Sequence, residues 1–119
     1  MTSLQGRGIF KGWQDAALLA YVDHAIGDCG EGVVLKCRPA REVDVFSSVP
    51  RGLWQALAQV QVPVRVLNGT RTYPFVPVSL ARWARLNPRV ERQVMPGGHC
   101  FMQEDPQACA EQVQAFLLH

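Results

Sequence analysis

The sequence lacks the excess of positive charge that is typical of proteins that bind polyanions. Its 12 basic and 10 acidic residues leave a formal net charge of +2 over 119 residues. The basic residues, ten of them arginine, are scattered without forming a cluster or a stripe. Because nucleic acids and anionic membrane surfaces are held by concentrated positive fields, the charge supports neither as a partner.

Long apolar runs and paired metal-ligand spacings are also absent. No apolar run approaches the roughly 18–20 residues that span a bilayer, and the N-terminal segment has no apolar core of a secretory signal. The four cysteines show no C-x-x-C spacing, which predicts reduced, inert thiols in a cytoplasmic protein. Cys100 follows His99, but no second ligand pair exists, so we expect neither a metal nor a cofactor. The cysteines are Cys29, Cys37, Cys100 and Cys109.

The first half of the chain predicts helices and irregular structure. Phe10, Trp13, Ala17 and Tyr21 recur at helical spacing and predict one helix with a broad apolar face. The glycine-rich stretch that follows predicts a loop. The remaining expected elements are an extended run at 33–37, a helical segment at 41–46, and a short helix with Pro50 in its first turn that carries Leu53, Trp54 and Leu57.

The second half predicts a strand, a helix, a strand and a helix. Apolar residues over 62–69 indicate a buried strand, and residues 78–86 indicate a helix after a loop at 70–76. A second strand is expected at 90–95, and Asp105 with Pro106 begins a final helix. Short connections between such elements imply parallel strands joined by a right-handed crossover, which is an α/β fold of one domain.

One histidine stands where catalytic groups gather in such folds. His99 follows Gly97 and Gly98 past the end of the second strand. Ligands and catalytic groups collect outside the carboxyl ends of parallel strands, so His99 can act as a general base toward a hydroxyl or water. The alternative is an ordinary histidine on a surface loop. His24, within a predicted helix, and His119, the terminal residue, are expected to be ordinary.

Three segments of the second half resemble the α/β-hydrolase family. Residues 62–69, VPVRVLNG, are similar to the family's "vPvlvl-x-G" strand, and residues 95–102, MPGGHCFM, to its closing "pGgHf" turn. Residues 104–118 resemble its last segment, "e-x-P … v-x-x-F-L", and all three come in the family's order and spacing. The resemblance implies a partial α/β-hydrolase fold, with a helical cap-like segment over 1–61 and the β-α-β-α end of the core over 62–119.

The resemblance also implies that His99 is the catalytic histidine, and it exposes two departures from the family pattern. The sequence has no Gly-x-Ser-x-Gly elbow, so the nucleophile would precede Met1. Thr72 stands where many members carry the triad's Asp, and a hydroxyl cannot hold the imidazolium by charge. The acid is therefore displaced or lost. Glu104 is a further candidate acid, although we expect its charge to support the start of the final helix.

Aromatic residues are candidates for an apolar substrate pocket between cap and core, and the alternative is that they are core. These candidates are Phe10, Trp13, Tyr21, Trp54 and Phe101.

The sequence is compatible with two functions. The chain is either the part of a hydrolase that supplies the general base for a small, apolar, ester-like substrate, or a non-catalytic module that binds a partner. Since the strand at 62–68 would have an unpaired edge, the expected partners are the N-terminal part of the hydrolase or a second copy.

Overall fold

A computed structural model describes residues 3–118 of the chain. Met1, Thr2 and His119 lie outside the described residues, and with them the expectation for His119. The elements fall into an N-terminal half of short helices with one small hairpin and a C-terminal half built on two parallel strands. The mixed helix and strand content confirms the α/β class predicted from the sequence.

The first helix is shorter than the helical spacing predicted. Helix α1 runs over Asp15–Ala25, and its Leu18 is only 1% exposed. Phe10 ends a separate 3-10 turn, Gly8–Phe10, and Trp13 lies between the two elements. The prediction that one helix carries both residues is therefore wrong. Gly12, which lies between Phe10 and Trp13, explains the break, since its positive φ angle of 85° is one that a right-handed helix excludes.

A hairpin follows α1 where the sequence predicted a loop and then an extended run at 33–37, and that run contains the second strand of the hairpin. Strand β1, Ile26–Asp28, pairs antiparallel with β2, Val33–Leu35. The connection is closed by the Asp28 carboxylate, which accepts a hydrogen bond from the backbone N–H of Gly30 at 2.8 Å. The glycine-rich stretch thus forms a hairpin turn and not an open loop, as a positive φ of 80° at Gly30 allows.

Two short helices complete the N-terminal half. Helix α2 covers Pro39–Ser47, with Pro39 in its first turn, and α3 covers Leu53–Ala58. The expectation that Pro50 begins the second of these helices is wrong, because α3 starts after Gly52, whose φ of 70° turns the chain into it. The indole N–H of Trp83, from the helix described next, donates to the carbonyl of Leu57 at 3.1 Å and attaches α3 to the C-terminal half.

The C-terminal half confirms the parallel strands. Strand β3, Val64–Gly69, pairs in parallel with β4, Val90–Met95, and helix α4, Phe75–Leu86, connects them. Helix α4 begins three residues earlier than predicted because Pro77 falls in its first turn, where proline is tolerated. In the register Gly69 lies opposite Met95, so both strands end at the same edge of the sheet.

The chain closes with two helices where one was expected. A four-residue helix α5, Phe101–Glu104, directly precedes α6, Pro106–Leu117. The side chain of Asp105 accepts a hydrogen bond from the backbone N–H of Ala108 at 3.0 Å, which confirms it as the N-cap of α6. The expectation that Glu104 supports the start of this helix is wrong, because Asp105 fills that role and Glu104 turns elsewhere.

Few side chains are fully buried in this elongated chain, whose principal extents are 51 × 33 × 28 Å. The buried apolar residues are Leu18, Val90, Met95 and Phe101. Many apolar side chains remain exposed, among them Phe46 at 86% and Val49 at 84%. Within residues 3–118, no helix is long and apolar enough to cross a membrane.

Candidate functional site

His99 lies exposed on the turn that follows β4. Two glycines, Gly97 in the turn and Gly69 in β3, let the backbone of this region pack closely. Gly97 has a φ of 131°, and a Cβ there would lie 2.8 Å from Cβ of Phe101. A Cβ at Gly69, at the end of β3, would overlap the carbonyl oxygen of Gly98. The ends of both parallel strands are therefore packed backbone to backbone, with His99 at their common edge. Its predicted placement is confirmed, while its catalytic role stays a prediction.

The loop after β3 brings Thr72 to His99. The hydroxyl oxygen of Thr72 lies 2.8 Å from Nδ1 of His99, and the Tyr73 ring centroid lies 4.7 Å from that of the imidazole. The loop is fixed against the turn because the backbone N–H of Arg71 donates to the carbonyl of Gly97 at 2.8 Å. Thr72 therefore occupies the place of a partner for Nδ1, but without a charge.

Glu104 joins the turn to the loop. One carboxylate oxygen accepts a hydrogen bond from the backbone N–H of Gly98 at 2.9 Å, and the other accepts from Arg71 at 3.3 Å. Its side chain is 16% exposed, against 71% for Arg71. A Cβ at Gly12 would lie 3.4 Å from this side chain, so the N-terminal segment also packs on it. Both oxygens are engaged, and none of these bonds reaches His99, so Glu104 has the geometry of a structural clamp.

An open cavity of about 460 Å³ lies beside His99. Three segments contribute residues to its lining. Gly8, Ile9, Lys11 and Gly12 come from before α1, residues 71–74 come from after β3, and Gly98, His99, Cys100 and Glu104 come from the turn and α5. The backbone N–H of Gln14 donates to the carbonyl of Gln103 at 2.9 Å and holds the first segment against the third. Cavities of a few hundred cubic ångströms suit small organic ligands.

The aromatic residues predicted to line a substrate pocket lie elsewhere. Phe101 is 5% exposed and packs beneath the turn. Trp13 and Tyr21 form a cluster with Phe10, with ring centroids 5.0 to 5.9 Å apart. Trp54 lies under the guanidinium of Arg82, which is 4.1 Å from its ring centroid. None of the five is in the lining of the cavity beside His99.

Sequence reasoning missed the residues that the N-terminal segment and the loop contribute. Lys11, Arg71 and Tyr73 line the cavity, yet they are distant from His99 in sequence and belong to no motif. Only the position of Thr72 within the family-like pattern pointed to that loop. Among the described residues, no group of three or more His, Cys, Asp or Glu side chains is arranged to hold a metal ion.

The fold matches part of a known hydrolase. The crystal structure of E-2-(acetamidomethylene)succinate hydrolase, an α/β hydrolase, superposes with a TM-score of 0.78 at 20% sequence identity. The match covers 99% of this chain and 44% of that one, so the chain spans less than half of its neighbour's length. No family model and no curated protein matches the sequence. The chain therefore has part of the α/β-hydrolase fold, as its sequence pattern predicted.

Proposed function

We propose that this chain is the part of an α/β-fold hydrolase that supplies the catalytic general base, His99. The observation that carries the proposal is the 2.8 Å contact between Thr72 and Nδ1 of an exposed histidine at the carboxyl ends of two parallel strands. A base oriented by a second side chain, beside an open cavity, is the arrangement that hydrolytic triads use.

The proton route follows from the contact at Nδ1. When Nδ1 carries its hydrogen and donates it to the Thr72 hydroxyl, Nε2 is free to take a proton from a nucleophilic hydroxyl or water. A hydroxyl can also donate, and then Nε2 carries the hydrogen and cannot act as the base. Thr72 thus orients the ring but selects the productive tautomer less strongly than a carboxylate would, which predicts a slower enzyme than one with an intact triad.

The nucleophile is proposed to come from outside these 119 residues. They contain no Gly-x-Ser-x-Gly elbow, and the structural neighbour is more than twice as long as its matching part. Residues 1–61 would then be the cap-like segment and residues 62–119 the end of the catalytic core. Within the described residues β3 pairs with β4 along one edge only, so the N-terminal part of the hydrolase is the partner we propose for the other edge.

The substrate we propose is a small molecule with an ester-like or amide-like bond. The neighbour is named for the hydrolysis of E-2-(acetamidomethylene)succinate. The apolar side chains at the cavity here are those of Ile9, Tyr73 and Pro74, and they support an apolar portion of the substrate.

The compartment we propose is the cytoplasm. The four cysteines are free thiols, which supports a reducing compartment of this kind.

A second candidate is a non-catalytic module that binds a partner or itself. The observation that favours it is the uncharged Thr72 in the position of the triad acid. The exposed apolar side chains around Phe46 and Val49 also fit a surface that another protein covers. Under this reading, the cavity beside His99 is a remnant without turnover.

The coding sequence upstream of Met1 separates the two candidates. An in-frame elbow with Ser, Cys or Asp would let the whole protein be expressed and assayed with short p-nitrophenyl esters. We expect His99→Ala to lower kcat at least about 10²-fold in that protein with little change in KM, since a general base acts in the transition state. A gene without an elbow, or an enzyme that tolerates His99→Ala, would support the non-catalytic module.

A further inference from the structure

We infer that the cavity beside His99 takes a substrate that carries a carboxylate. The inference rests on the proposed function and names its substrate class. The charged residues of the lining, apart from His99, are Lys11, Arg71 and Glu104, which together give the cavity a net charge of +1 with His99 neutral. A small anion would therefore enter a positive site.

The single negative charge of the lining is already engaged. Glu104 is 16% exposed and accepts hydrogen bonds from the Gly98 backbone and from Arg71. The charge of Glu104 is offset by its ion pair with Arg71, so Lys11 determines the net sign of the lining. The positive charge of Lys11, by contrast, makes no ion pair within residues 3–118.

Arg71 also keeps donors for a ligand. Its contact with Glu104 uses one terminal nitrogen, at 3.3 Å. A guanidinium has five N–H donors, so the other nitrogens can hold a carboxylate while the bond to Glu104 remains. Arg71 is adjacent to Thr72, whose hydroxyl contacts His99. A carboxylate bound there would anchor the substrate close to the general base.

The apolar side chains of the lining would contact the part of the substrate that lies away from its carboxylate. Tyr73 lies over the imidazole with ring centroids 4.7 Å apart, and Pro74 and Ile9 also line the cavity. The cavity thus combines a basic side, an apolar side and a histidine within about 460 Å³. This combination fits a short carboxylic acid with a hydrolysable bond, and it fits a wholly apolar ester less well.

Equilibrium dialysis with radiolabelled succinate at low ionic strength tests the inference, and it tolerates self-association of the chain. We expect saturable binding that unlabelled succinate displaces and uncharged succinamide does not. Lys11→Gln and Arg71→Gln should each weaken binding about two- to fivefold, the range for exposed ion pairs. The double variant Lys36→Gln with Arg85→Gln is the matched control, because it removes the same charge from exposed positions outside the lining.

Three results would each overturn the inference. The first is the absence of saturable succinate binding, and the second is a Lys11→Gln and Arg71→Gln double variant that binds as the control does. The third is equal displacement by succinamide. These outcomes are independent of turnover. If succinate binding follows Lys11 and Arg71 while the whole protein shows no dependence of hydrolysis on His99, the ligand class stands and the proposed function falls.

Discussion

The hydroxyl oxygen of Thr72 and Nδ1 of His99 lie 2.8 Å apart, at the edge of the sheet where both parallel strands end. This contact orients the imidazole without a negative charge. A carboxylate at the same position would supply the charge that Ser-His-Asp triads use to stabilise the imidazolium. The pair therefore offers a direct way to separate orientation from electrostatics.

Thr72→Asp should raise kcat of the proposed whole hydrolase above that of Thr72→Asn, the uncharged variant of the same shape. The cause is the carboxylate, which stabilises the imidazolium that forms in the transition state. Hydrolysis of short p-nitrophenyl esters measures the difference. Equal kcat values in the two variants would show that a charge at position 72 does not act on the imidazole.

The 119-residue chain alone should show no hydrolase turnover. It has no nucleophile elbow, so His99 can offer only general-base assistance, worth about 10²- to 10⁴-fold over water. Short p-nitrophenyl esters with the chain and with His99→Ala are the assay, and no acyl-enzyme burst is expected. A burst, or His99-dependent turnover above that range, would show that a nucleophile is present after all.

Glu104→Ala should destabilise the chain by about 1–3 kcal/mol, because the Gly98 N–H loses a charged acceptor that is mostly buried. Glu104→Gln should lose less, since its amide oxygen can still accept that bond. Urea unfolding measures both, and amide exchange at Gly98 should quicken in Glu104→Ala. Glu111→Ala is the matched control, because this exposed carboxylate accepts a hydrogen bond only from Gln107 within residues 3–118. Equal losses in Glu104→Ala and Glu111→Ala would contradict the clamp.

Gly69→Ala should be more damaging than its size suggests. The added Cβ would overlap the Gly98 carbonyl oxygen, which is backbone and cannot swing aside. We expect a loss of about 1–3 kcal/mol, the cost of overpacking, and a shift of the His99 imidazole resonances. Gly27→Ala, also in a strand, is the control, since its Cβ would meet a side-chain atom of Lys36 at an ordinary 3.7 Å. A tolerated Gly69→Ala would mean that the strand ends are not packed this closely.

Sequence patterns predicted the C-terminal half well because its signals are local. The apolar run of β3 and the Asp105-Pro106 cap each lie within a few residues, and both elements appear close to where they were expected. Strand β2 lies within the extended run predicted at 33–37, but β1 and its pairing with β2 were missed because three-residue strands are too short to show alternation. The prediction that one helix carries Phe10 and Trp13 was wrong because the helical spacing continues across Gly12, whose positive φ ends a right-handed helix.

The residues of the site also divide into those that local sequence patterns predicted and those that they did not. His99 and Thr72 were found because each lies within a family-like segment. The clamp made by Glu104 and the cavity position of Lys11 were not, since they depend on contacts between segments that are far apart in sequence. Glu104 bonds Arg71, 33 positions away, and the N-terminal segment packs on Glu104 at Gly12. No local pattern records such packing. The predicted aromatic pocket rested on residue type alone, which cannot separate core from cavity.

Association of the chain is the remaining prediction, and it rests on surfaces left uncovered. Within residues 3–118, β3 has a strand partner on one side only, and a buried backbone group without a partner costs about 1–3 kcal/mol. The N-terminal half adds exposed apolar side chains over residues 33–49, which include Val33 at 77% and Phe46 at 86%. Apolar surface of this extent is typical of protein interfaces.

We therefore expect the chain at micromolar concentration to dimerise, to aggregate, or to bind the N-terminal part of the hydrolase proposed above. Sedimentation velocity measures the state. Val64→Lys should weaken association by placing a charge on β3, and Phe46→Ser should weaken it by removing exposed apolar area. Leu118→Ser is the control. Leu118 is exposed as well, at 73%, but it lies at the far end of the chain, beyond α6. A sharp monomer with a cooperative melt would contradict the prediction and would mean that the N-terminal half folds back over the open edge of β3.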